Sequence, residues 1–149
     1  MMINFHGRTT KAKREAITAA FEWVAYTLMD TETASELEID LYYKKYDDNN
    51  MNQDLAGSCL VIDEDPKPWL FEVFINNTLS DEDTLQAIFH EMVHVRQYAT
   101  GQLSENLMHH TWKKKKFHKI WTAYMDRPWE KEAYKLEKVL YAQYVKEMK

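Results

Sequence analysis

An α+β domain is what this chain predicts. Three segments with strand character, 37–43, 57–63 and 69–75, follow one another, and a long amphipathic helix over about 81–100 comes directly after them. Helical periodicity recurs towards both ends, over about 11–29 and 128–147. The length of 149 residues suits one domain with a modest core, spanning 1–149. Five Trp, nine Tyr and six Phe argue for an ordered interior, and three Gly with three Pro leave little material for flexible linkers.

The elements can be justified in order. Residues 2–6 form a short strand ending at Gly7. Thr9 or Thr10 caps the first helix, whose buried stripe is Ala16, Ile17, Ala20, Phe21, Val24 and Leu28. Residues 37–43 alternate apolar and polar with period two, the mark of a half-buried strand. A polar turn is expected at 47–52. The strand 57–63 carries Cys59 in an apolar run, and 63–68 turns with the help of Pro66 and Pro68. The strand 69–75 then leads into a helix capped by Ser80, with Asp81, Glu82 and Asp83 set against its positive end. Leu85, Ile88, Phe89, Met92, Val95 and Ala99 make its apolar stripe, and Gly101 stops it. Beyond Gly101 the pattern weakens, with an extended strand or hairpin arm expected over 111–117. Pro128 opens the last helix, whose apolar face is Trp129, Ala133, Leu136, Leu140 and Tyr144.

The most informative pentapeptide is His-Glu-Met-Val-His at 90–94. Helix positions four apart lie one turn up on the same face, so His90 and His94 can aim two imidazoles at one metal ion. They share a line with Ala87 and Gln97 at the border of the apolar stripe. Glu91, one step round the helix, can reach a water beside that ion as general base. A catalytic zinc commonly takes a third protein ligand. Glu130 and Glu132 both sit in the first turn of the last helix, equally far round from its apolar centre, and helical geometry does not choose between them. His109, His110 and His118 are further candidates.

His-Glu-Met-Val-His together with the later Arg-Pro-Trp-Glu-Lys-Glu-Ala-Tyr resembles the gluzincin pattern, HExxH followed by a helix carrying Glu-x-x-Ala. More specifically, the two blocks look like small SprT-like or related metallopeptidases of phages and bacteria. The resemblance covers about 80–137. It implies a zincin-like minimal metallopeptidase domain, a small twisted sheet of three or four strands packed on the HExxH helix. It also implies a Zn2+ cofactor, peptide or protein substrates, and Glu130 as third ligand, since Glu130 with Ala133 matches Glu-x-x-Ala. Two departures stand out. Many gluzincins place Asp or Asn after that Ala to orient a zinc histidine, whereas this chain has Tyr134. SprT-type proteases proper use a third histidine about fifteen residues downstream, where His109 stands. The family chemistry implies a donor for the oxyanion, from among Tyr98, Tyr124, His118 and Arg127. Zincin substrates add to a sheet edge, expected here at 71–75.

Other features have plainer readings. A net charge of −5 disfavours a broad nucleic-acid surface. The run Lys113, Lys114, Lys115 and Lys116 reads as a solvated hairpin arm in preference to a phosphate-binding one, although a DNA-associated protease is the alternative it keeps open. The aromatic residues of 121–144 read as core. Lone Cys59 reads as a structural thiol of a reducing compartment. No leader or membrane span is visible, so a cytoplasmic protein is expected, in the host cytoplasm if phage-encoded. A second alternative keeps the metal but not the turnover, as a zinc-binding or regulatory domain.

Overall fold

A computed structural model describes residues 1–46 and 55–148. The turn expected at 47–52 lies outside them. The described chain is a mixed α+β fold with four helices and two sheets. Strand β1 (Met2–His6) is followed by α1 (Lys11–Leu28), α2 (Thr31–Glu36), β2 (Glu38–Lys44), β3 (Gly57–Val61) and β4 (Leu70–Asn76). Then come α3 (Asp81–Ala99), the short strands β5 (Leu103–Glu105), β6 (His109–Trp112) and β7 (Lys115–His118), a 3-10 turn at Tyr124–Asp126, and α4 (Pro128–Glu147).

The caps follow the residues that specify them. Thr10 accepts from the Lys13 amide, Ser80 from the Asp83 amide, and Gly101 takes φ +77° just past α3, a conformation without penalty only for glycine. Pro128 sits in the first turn of α4, where its missing N–H costs nothing. Helix α2 was not expected. Its six residues stand on Asp30, which caps the Thr33 amide, a signal too short to register as periodicity. Ala16, expected in the α1 stripe, is exposed.

The main sheet runs β1-β2-β4-β3. The first three strands are parallel, and β3 is antiparallel to β4. This corrects the edge expected at 71–75: β4 is paired on both sides, and among the described residues β3 is the edge strand next to α3. The chain leaves β2, skips one strand width, and hairpins back through 62–69 to insert β4 between them. Sequence adjacency to α3 says nothing about that order.

Helix α3 lies at the centre. It packs on α1, α4 and β3, so the run from Ala87 to Val95 is buried on every side instead of along one stripe. Phe21, Phe71 and Phe89 are fully buried in the core, each contributing about 2–3 kcal/mol by leaving water. Ala133, with no exposed surface, brings α4 close to α3. A second small core of Leu103, Trp112 and Trp129 supports the sheet β5-β6-β7. There the single arm expected at 111–117 is two paired strands turning at Lys113 and Lys114. Among the described residues, no helix is long and apolar enough to cross a membrane.

Candidate metal centre

Two helix faces meet to make the site. On α3, His90, His94 and Gln97 follow one another along one line. On α4, Glu130, Ala133 and Glu137 do the same. The helices press these lines together, and the Oε1 of Glu130 falls between the two imidazoles. It lies 3.2 Å from His90 Nε2 and 3.0 Å from His94 Nε2. All three residues are buried, at 7–8 % exposure. Among the described residues they form the one group of His, Cys, Asp or Glu whose ligand atoms could hold a metal ion.

The donor set fits such an ion. Ligand bonds of ~2.05 Å at tetrahedral angles give donor–donor edges of about 3.3 Å, close to the two separations observed. The tautomers fit as well. The Gln97 amide nitrogen donates to the Trp129 carbonyl (3.0 Å) and to Glu132 (3.1 Å), which leaves its oxygen to accept from His94 Nδ1 at 2.8 Å. His90 Nδ1 donates to Glu137 Oε1 at 3.1 Å. With both Nδ1 atoms serving as donors, it is Nε2 of each ring that faces Glu130 and that would bind a metal once its proton leaves. The Tyr134 ring packs against His90 with centroids 4.5 Å apart, so it braces the imidazole while Glu137, one turn further on, holds it.

Burial works against charge on the imidazoles, but the carboxylates prevail. Glu130 and Glu137 hold His90 up at about 10, and Glu130 raises His94 as well. Glu130 is held well below the usual carboxylate range, because bonds from His90, His94 and Tyr124 outweigh its own burial. Without a cation the cluster therefore keeps protons where a metal would sit. Glu91 differs. Burial pushes its carboxyl up, and among the described residues nothing hydrogen-bonds it. It faces Gly57 of β3, where an added Cβ would stand 2.8 Å from the Phe74 carbonyl oxygen and 3.2 Å from Glu91 Cγ. Glycine there lets the edge strand lie directly over Glu91.

The other candidates fall outside the cluster. Glu132 binds Arg96 Nη2 at 2.9 Å and the Gln97 amide, so it braces the site from behind. His109 and His118 face each other across β6 and β7, centroids 5.3 Å apart, and His118 stacks on Trp121. His110 packs on Trp129 and lies 3.4 Å from Glu105. Of the four side chains considered for an oxyanion, Tyr124 is tied to the cluster, its hydroxyl donating to Glu130 Oε1 at 2.8 Å. Tyr98 and Arg127 line a cavity together with Tyr124, His90, His94 and Glu130, and His118 does not. Cys59 also lines it, partly buried, with burial raising its thiol. Gln97 and Glu137 had no role in the sequence reading, although the signal was there. Each lies seven residues after a cluster member, on the same helix face. Comparison with protein-family models, curated proteins and solved structures returns no match for this chain.

Proposed function

We propose that this protein is a zinc-dependent endopeptidase of zincin type, with His90, His94 and Glu130 as metal ligands in the gluzincin arrangement. One observation carries the reading: three buried donors converge, both imidazoles are oriented from behind, and Glu91, a buried carboxylate without a hydrogen bond among the described residues, stands beside them. When bound, zinc supplies a Lewis acid that activates water near neutral pH and polarises a carbonyl. Glu91 takes the proton of the attacking water and passes it to the leaving amine, work to which its raised pKa is suited. A metal held only for structure has no need of a base there, which tells against a silent zinc-binding domain.

The edge strand β3 gives an extended peptide a backbone to pair with, alongside Glu91 and above the cavity. Tyr124, whose hydroxyl donates to Glu130, would serve as the donor to an oxyanion. Lys113 and Lys114 make the turn of the β6–β7 hairpin and Lys115 and Lys116 begin β7, with Lys113 over Trp112 and Lys115 over Phe117, which favours a solvated arm over a nucleic-acid site. A cytoplasmic setting belongs to the same proposal. Glu91→Gln tests it. Cleavage of an internally quenched peptide should fall by about 100- to 10,000-fold while zinc content stays at the wild-type level. Cleavage that persists in Glu91→Gln contradicts the catalytic reading.

A further inference from the structure

Arg127, the residue before α4, lines a cavity of about 240 Å³ together with Glu91, Glu130, Cys59, Tyr98 and Trp129. Its guanidinium is fixed on one side only. Nε donates to the Thr122 carbonyl at 3.4 Å and Nη2 to the Lys119 carbonyl at 3.2 Å, which leaves the Nη1–Nη2 end of the fork open. The plane is braced by Tyr124 and Trp129, whose ring centroids lie 5.8 and 6.0 Å from Cζ. Neighbouring Lys119 pairs with Glu105 at 2.9 Å. Among the described residues, no carboxylate comes within 4.0 Å of Arg127.

A rigid, partly buried guanidinium with an open fork and no anion of its own is built to receive one. Tyr124 serves as a ruler between the two ends of the cavity. Its hydroxyl touches Glu130 and its ring touches Arg127, placing the guanidinium within about 11 Å of the ligand cluster, or about three extended residues. Resting on the peptidase reading, we propose that Arg127 is a specificity-determining residue that binds a substrate carboxylate within three residues of the scissile bond. The carboxylate is either the chain terminus or an acidic side chain. The protein thus selects short-tailed or acidic peptides in preference to extended neutral ones.

The test reads binding, apart from turnover. Zinc-loaded Glu91→Gln protein is titrated in a calorimeter with acetyl-trialanine, with its C-terminal amide, and with acetyl-Ala-Ala-Glu-amide beside acetyl-Ala-Ala-Gln-amide. At least one acidic probe should bind about tenfold or more tighter than its neutral twin, as a charge-assisted bidentate pair requires. An advantage for free trialanine assigns the terminus, and one for the Glu peptide assigns the side chain. Adding Arg127→Gln should erase the preference, so that the acidic probe binds no tighter than its neutral twin. If that variant fails to fold, Arg127→Lys, which keeps the charge and loses the fork, should remove most of it. Equal affinity for acidic and neutral probes, no measurable binding of any probe, or a preference that survives at position 127 overturns the proposal. Cleavage of the quenched peptide by wild type is scored separately, so loss of the peptidase reading and loss of carboxylate selection are told apart.

Discussion

The face where α3 meets α4 and the β5–β7 lobe are built to different standards. In the first, both imidazoles are held from behind by a polar side chain. Gln97 holds His94, Glu137 holds His90, and Glu132, itself held by Arg96, holds Gln97 in turn. In the second, a core of three residues supports strands of three or four, and Leu107, Ile120 and Trp121 stand 78–89 % exposed. The difference teaches where precision is needed. Metal donors must be fixed to within a few tenths of an ångström, so they sit on long buried helices. The lobe supplies one wall of the cavity, including His110, and a wall tolerates looser packing.

That contrast can be broken by mutation. The largest effect is expected at the bracing residues: Glu137→Ala and Gln97→Ala should each weaken metal affinity by about 10- to 100-fold in a competition titration. Trp121→Ala in the lobe should change it by no more than about twofold. Comparable losses from both regions would erase the distinction.

Acid is expected to act in smaller steps, one pH unit at a time. With His90 held at about 10 in the metal-free cluster, its proton is present at neutral pH and must leave for a metal to bind. Apparent affinity should therefore rise with pH up to about 10, by about tenfold per unit for each proton displaced. Metal loading at pH 7 should release protons, read by calorimetry in buffers of different ionisation enthalpy. Affinity that is flat with pH would mean that the imidazoles are not the donors.

The smallest effect belongs to the lobe. Lys113 and Lys114 turn the β6–β7 hairpin with φ of 48° and 72°, a left-handed pair that Asn-Gly adopts more easily. Replacing them by Asn and Gly should stabilise the protein by about 1 kcal/mol, seen in thermal melts, with metal affinity unchanged.

The same two regions show how far the sequence could be read. Helix α3, its cap at Ser80 and its stop at Gly101 are written in local residue chemistry, as are α1, α4 and the alternation of β2. The strand order is not. Placing β4 between β2 and β3 depends on pairing between distant segments, which no local pattern encodes. The hairpin turn stayed hidden because Lys-Lys carries none of the usual turn chemistry. At the site, spacing grouped His90 with His94, while Glu130 and Glu132 remained equivalent on the helix wheel. What separates them is the partner helix: Arg96 and Gln97 claim Glu132, and the paired imidazoles face Glu130.

Elemental analysis of purified protein, with Glu130→Ala and Glu132→Ala prepared alongside wild type, puts that separation to its most direct trial. Wild type and Glu132→Ala should each carry zinc at about one ion per chain, and Glu130→Ala should carry almost none. Full occupancy in Glu130→Ala, with loss confined to Glu132→Ala, would contradict the site described.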